Sequence, residues 1–428
     1  MLGHLKLTNV GPAPAMELTL ARRLNLLTGD NGLGKSFLLD IAWWCLTRKW
    51  PAQLNPRLPS GLMAKPHQSG PASIEFTITS LHDIISARYS ADYDRRAQAW
   101  TGKAGRPLPP GPVVYAQVDG GFAVWDPLRN YWRQKGDSDV QDRPPAYVFT
   151  PREVWDGLAA ADGSWLCNGL IRDWAGWQKE NGSAFDQLRE VLNELSSSGE
   201  EAIEPGELTR ISLDDARDMP TIRMPYQPDV PVVHASSGVR RIMALAYFLV
   251  WVWREHRQAA RQIEEPEAGR IVFLIDEIES HLHPSWQRAI VPAVLSAVEK
   301  LSPQIKVQVV AATHSPLIMA SVEPLFDPGQ DAWFDLDLER DEIVLKRLDF
   351  EKHGDAANWL TSEAFDLKSG RPLEYEKLVE KAASLLDNGQ PDKAEVEKMN
   401  RRLVAALNPK DDFLFNWRYV CKQKGLLE

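Results

Sequence analysis

The sequence predicts an α/β fold built on a mixed, largely parallel sheet core, with a helical insertion and a helical C-terminal tail. Three observations carry that expectation. Residues 24–28 form an apolar run that leads into Gly29-Asp30-Asn31-Gly32-Leu33-Gly34-Lys35-Ser36, and residues 37–50 then read as a helix. This strand–loop–helix order is the context that a phosphate-cradling loop requires. Two further apolar runs, 270–275 and 306–312, are continuous rather than alternating, as expected of strands covered on both faces.

Taken in order, residues 2–9 and 16–20 read as short strands, and Pro51 fits the end of the helix at 37–50. Residues 51–71 are rich in Pro, Gly and Ser and read as a loop. Residues 73–79 and 113–118 look like strands, with a locally basic stretch at 88–106 and a turn at 107–112 between them. From 126 to 229 the texture changes to Trp-rich helical stretches at 165–177 and 185–195, then an acidic, irregular segment at 200–218. No heptads persist there, so no coiled-coil arm is expected. Residues 239–259 form an apolar helix, 285–300 another, and 333–348 an alternating hairpin turning at 339–342. The expected organisation is one α/β domain in two halves, 1–125 and 230–348, separated by an insertion at 126–229 and followed by a helical tail at 349–428.

Composition narrows the class. Apolar residues make up 44% of 428, enough for a large core, and the net charge of −10 gives no support to a dedicated nucleic-acid binder. Sixteen tryptophans read as core and interface packing. Three scattered cysteines, Cys45, Cys167 and Cys421, share no metal-ligand spacing and suit no disulfide framework. The N-terminus lacks a signal-peptide layout, and the most apolar run, 242–253, is too short to span a bilayer. A cytoplasmic protein without a membrane partner is expected.

In the loop, Gly29, Gly32 and Gly34 let backbone N–H groups turn toward phosphates, with Asn31 beside them. Lys35 is expected at the β- and γ-phosphates of ATP, and the Ser36 hydroxyl on Mg²⁺. The run at 271–275 ends in Asp276 and Glu277, which a parallel sheet places at its C-terminal edge, beside the loop. Asp276 suits Mg²⁺ and Glu277 an attacking water. Ser236-Ser237-Gly238 precedes a helix and presents hydroxyl and N–H groups to an anion. His314 ends a buried strand, where it can bond a γ-phosphate. His281 and His283 read as loop-shaping residues.

These residues resemble the ABC-type ATPase superfamily in its soluble SMC-like and RecF-like branch. Residues 29–36 match Walker A, 236–239 the signature segment, 271–277 Walker B, 279–284 the D-loop and His314 the switch histidine, while Gln117 takes the place of the Q-loop glutamine. The resemblance covers about 1–125 and 230–345. Ser237 departs from the glycine that many relatives carry. The compact form, the Leu282-His283-Pro284 D-loop and the switch at 312–316 look like ATPase subunits of bacterial anti-phage defence systems such as Septu and PARIS, and like the ATPase half of OLD nucleases.

The resemblance implies that Ser236 and Gly238 of one copy complete the ATP site of another, so a homodimer or larger homo-oligomer is expected. It implies a regulatory ATPase that controls a partner effector, a nuclease or toxin. The alternative is a DNA repair or recombination ATPase that clamps DNA, motivated by the basic stretch at 88–106. A third reading, a self-contained nuclease using Asp335 and Asp337, lacks a matched upstream glutamate.

Overall fold

The computed structural model describes residues 1–80, 86–102, 108–130, 144–196, 202–224, 229–387 and 392–427. The ends of the basic stretch (103–106), of the turn (107) and of the acidic segment (200–201) lie outside the described residues. The chain divides into two compact units, Met1–Ala356 and Ala357–Glu428.

The first unit opens with β1 (Leu2–Val10), β2 (Ala13–Thr19), β3 (Leu24–Gly29), α1 (Lys35–Thr47), α2 (Pro51–Leu54) and β4 (Ser73–Thr79). There follow β5 (Ser86–Asp94), β6 (Ala99–Gly102), β7 (Val113–Ala116), β8 (Phe122–Trp125) and β9 (Tyr147–Phe149). Helix α1 stops three residues earlier than its pattern suggests, because Arg48 turns left-handed at φ +60°, and Pro51 opens α2 rather than closing α1. The basic stretch is itself a hairpin, β5 paired antiparallel with β6.

Next come α3 (Pro151–Asp156), the hairpin β10 (Leu158–Ala159) and β11 (Trp165–Cys167), α4 (Leu170–Glu180), α5 (Ser183–Leu195), and the short pair β12 (Thr221–Ile222) and β13 (Val230–Pro231). The tryptophan-rich span expected to be helical from 165 therefore starts as a strand and turns helical only at Leu170. Then follow α6 (Ser237–Ile263), β14 (Arg270–Ile275), α7 (Pro284–Gln287), α8 (Ile290–Leu301), β15 (Lys306–Ala312), α9 (Pro316–Val322), β16 (Asp331–Glu339) and β17 (Glu342–Leu348). The single helix expected at 285–300 is two. Pro292 has no N–H to give the Arg288 carbonyl, and its ring would crowd that oxygen, so the chain breaks before it.

The strands form two main sheets. One is antiparallel, in the order β2-β1-β4-β5-β6; the other has eight strands, β17-β16-β3-β15-β14-β7-β8-β9. In the second, β16, β3, β15, β14 and β7 are parallel neighbours, and β17 and β8 run antiparallel to theirs. Helix α1 lies between the sheets. Its Leu38, Ile41, Trp43 and Leu46 share one apolar cluster with Leu5, Ile74 and Phe76 of the smaller sheet and Leu274, Val310 and Phe334 of the larger. Burying each such side chain stabilises by about 1.5–3 kcal/mol, which fixes α1, and the loop before it, against the larger sheet.

The second unit contains α10 (Ala356–Leu360, beginning at the boundary), α11 (Leu373–Asp387), α12 (Lys393–Ala406) and α13 (Asp412–Gln423). Leu378, Val396, Leu403, Leu414 and Trp417 form its core. Asp411 caps α13 and accepts from Arg371 at 3.0 Å. The three cysteines are free and buried. Among the described residues, no helix is long and apolar enough to cross a membrane.

Candidate active site

Parallel register brings the site together. Ile275 of β14 is level with Ala116 of β7 and Ala311 of β15, and Ala312 is level with Leu27 of β3. The residues that follow, Asp276, Gln117, Thr313 and Thr28, therefore reach the same sheet edge, where loops leave parallel strands. Backbone bonds extend the alignment past the strand ends: Asp276 N–H donates to Ala116 O at 2.9 Å and Thr313 N–H to Leu27 O at 3.0 Å.

The glycine-rich loop rises from β3. Gly32 has φ +83°, and a Cβ built there meets nothing within 4 Å, so the loop's face is open at that point. At Gly29, with φ +119°, a Cβ would lie 2.1 Å from Leu336 O of the adjacent strand. No other residue fits that close approach. Helix α1 starts with Gly34 as its N-cap, with no side-chain cap and no acid in its first turn. Its leading N–H groups are thus left for an anion. Asn31 is exposed on the loop. Lys35 is buried, its Nζ donating to Gly29 O at 2.6 Å and Asp30 O at 2.8 Å. Burial pulls its pKa down, against the opposing fields of Asp276, Asp30, Asp335 and Glu277.

Burial raises the pKa of the Asp276 carboxylate, against the nearby Ser36 hydroxyl and the charges of Arg241 and Lys35, which lower it. Asp276 Oδ1 has no hydrogen-bond donor among the described residues, and neither has Gln117 Oε1. The Gln117 Nε2 donates to Ser60 Oγ at 3.2 Å. Buried oxygens without donors, next to a serine hydroxyl, fit a hard cation. Among the described residues no three His, Cys, Asp or Glu form a metal cage.

Glu277 is half-buried in the left-handed region at φ +44°, a strained conformation for a side-chain-bearing residue. His314 is half-buried; its backbone N–H donates to Glu279 Oε1 at 2.5 Å. Burial, then the charge of Lys35, lowers the imidazole pKa and favours its neutral form. Burial also pushes Glu279 up. His283 caps α7 through its side chain, and His281 takes φ +65°.

Ser236 is the N-cap of α6 and accepts from Val239 N at 3.4 Å. A Cβ on Gly238 would lie 2.6 Å from His281 O, so the start of α6 is packed on the backbone at His281. Ser236 and Ser237 are exposed. The structure thus brings together residues 29–36, Gln117, Asp276, Glu277 and His314. Among the described residues no hydrogen bond joins Ser236 or Gly238 to the glycine-rich loop.

Sequence reasoning missed Arg241, whose Nη1 and Nη2 donate to Gln117 O at 2.7 Å and Asp276 O at 2.8 Å. Asp335, weighed as a nuclease ligand, is buried and accepts from Thr28 Oγ1 at 2.5 Å, bracing β3 beneath the loop. Within the basic hairpin, Arg88 pairs with Glu75, and Arg95 donates to Gln68 O at 2.9 Å and Gly70 O at 2.8 Å.

The chain is 32% identical over 168 residues to the Septu protein PtuA of Bacillus mycoides, covering 38% of this chain and 21% of that protein. It is 29% identical over 195 residues to the retron Vc95 probable ATPase of Vibrio cholerae (45% and 35%), and 23% identical over 188 residues to the retron Ec83 probable ATPase of Escherichia coli (43% and 30%). It therefore spans well under half the length of these relatives. Among solved structures, the SMC head domain from Thermotoga maritima aligns at 13% identity and TM-score 0.39, over 81% of this chain and 99% of that one. The recombination mediator protein RecF aligns at 12% and 0.39, over 82% and 98%. The family described as "AAA domain, putative AbiEii toxin, Type IV TA system" matches residues 24–320, more than half of the chain. With its glycine-rich loop, strand-end carboxylates and His314 lying inside that match, the chain belongs to this family of AAA-domain ATPases.

Proposed function

We propose that the chain binds and hydrolyses ATP at the edge of its larger sheet, and that it closes with a second copy to do so. The observation that carries this reading is the alignment of the open loop with two donorless oxygens, Asp276 Oδ1 and Gln117 Oε1. The loop N–H groups and Lys35 hold the triphosphate. Ser36, Asp276 and Gln117 hold Mg²⁺, which would neutralise charge on the phosphates. Glu277 orients the attacking water, and neutral His314 bonds the γ-phosphate. Ser236, exposed at a helix N-terminus, and the buried Gly238 beside it supply the missing cap to the other copy's triphosphate.

In this reading the ATPase is a cytoplasmic regulatory subunit that controls an effector protein, a nuclease or toxin, in anti-phage defence. The similarity to Septu and retron proteins supports it. Residues 126–229 and 349–428 are the surfaces proposed for the effector. The DNA-clamp alternative draws less support, since the hairpin arginines Arg88 and Arg95 are engaged within the fold.

Glu277→Gln tests the proposal. With ATP and magnesium it is expected to hydrolyse at least about a hundredfold more slowly than the parent and to accumulate as a dimer or larger assembly in sedimentation. Hydrolysis at the parental rate would remove Glu277 from the mechanism. A monomer that stays single with nucleotide bound would remove the shared site.

A further inference from the structure

Arg241 lies on the second turn of α6 and is only 5% exposed. Burying a guanidinium is costly, and here it is bonded to two backbone carbonyls rather than held by a close carboxylate pair. Its Nε has no partner among the described residues. The fields of Asp276, Asp119, Glu277 and Glu279 offset part of that cost, and the two bonds decide what the cation fixes.

Both bonds go to one place. Gln117 and Asp276 directly follow β7 and β14, at strand ends that are level. A planar fork spanning their carbonyls fixes the distance between the two backbones in a way a single ammonium cannot. These same two residues carry the oxygens that lack donors. Mg²⁺ demands near-ideal octahedral geometry, so small errors in that spacing are felt directly. Five residues before Arg241, on the same helix, is Ser236.

We propose that Arg241 is a positioning residue for the ATPase reaction. From the start of α6, its guanidinium holds the Gln117 and Asp276 backbones at the separation where their side-chain oxygens share one divalent cation. The segment that caps the second copy's triphosphate is thereby tied to the metal end of its own site. This inference rests on the ATP reading above.

The test uses the full chain carrying Arg241→Lys, which keeps a buried cation but not the fork. Affinity for a fluorescent ATP analogue is measured in EDTA and in magnesium, alongside melting and steady-state kinetics. Melting and EDTA affinity are expected near the parent's, while the gain in affinity from magnesium shrinks about tenfold, KM for ATP in magnesium rises by up to about tenfold in step, and kcat falls about ten- to a hundredfold. Arg241→Met, which loses both bonds, is expected to show the larger effect. A folded Arg241→Lys with the parent's magnesium gain and kcat overturns the inference and leaves the ATP reading standing. So does an Arg241→Lys that does not fold, since the residue is then a core brace. A parent chain that binds no nucleotide in either condition overturns the ATP reading itself, and this inference with it.

Discussion

Asp40, on the helix that follows the glycine-rich loop, accepts from the Tyr115 hydroxyl at 3.0 Å. Burial pushes its carboxyl from the ordinary 3.8 up to about 7. Below the ordinary value both folded and unfolded chains carry the proton. Between it and about 7 the folded chain keeps a proton that the unfolded chain has released, so stability drains away as pH rises through this window. Asp40→Asn removes that penalty. Melting of EDTA-treated protein at pH 5 and pH 8 is therefore expected to fall more in the parent than in the variant, with Asp40→Asn the more stable at pH 8. One pKa unit is about 1.4 kcal/mol, so the difference is of order a few kcal/mol. Burial also raises Asp276 and Glu279; the charge of Asp276 is itself one of the causes that lift Asp40, so the slope lost in the variant includes that coupling. Identical pH slopes would show that Asp40 titrates normally.

Among the elements, the start of α6 separates structural from chemical roles. The bond from Val239 N to Ser236 Oγ is long at 3.4 Å, so losing the cap costs at most about 1 kcal/mol of stability. Ser236→Ala is expected to melt close to the parent yet to hydrolyse ATP at least about tenfold more slowly, through one lost hydrogen bond to a charged phosphate. Unchanged turnover would confine Ser236 to capping. Legibility also differed by element. Strands β4, β14 and β15 were readable to the residue, because their side-chain patterns follow directly from burial on one face or on both. The β16–β17 hairpin announced itself through alternation, and its turn uses Arg340 and Asp341 at φ +49° and +69°. Strand β5 was hidden, since its faces are mostly half-buried or exposed and its arginines read as a charge run. The loop and the strand-end carboxylates were visible as spacing. Arg241 was not: within an apolar helix nothing local distinguishes a buried arginine from an exposed one, and its two acceptors are 124 and 35 residues away.

For the molecule as a whole, the division at Ala356 and the separate core of the second unit make the two parts separable in principle. A chain ending at residue 356 is expected to keep a cooperative thermal transition and to bind the ATP analogue within about threefold of the parent, well under 1 kcal/mol. Loss of nucleotide affinity on truncation would make the second unit part of the site. Within the first unit, α6 runs for 27 residues, a rod about 40 Å long. Beyond Arg241, its Tyr247 donates to Asp173 at 2.7 Å and its His256 bonds Asp126 at 3.0 Å. With the near end clamped at Arg241, the helix becomes a lever whose pivot is the pair of backbone carbonyls at Gln117 and Asp276. A tilt of about 5° there would sweep the distal end through about 3 Å, the length of a hydrogen bond. A change no larger than the departure of a phosphate could in this way be amplified into broken contacts on the tryptophan-rich side.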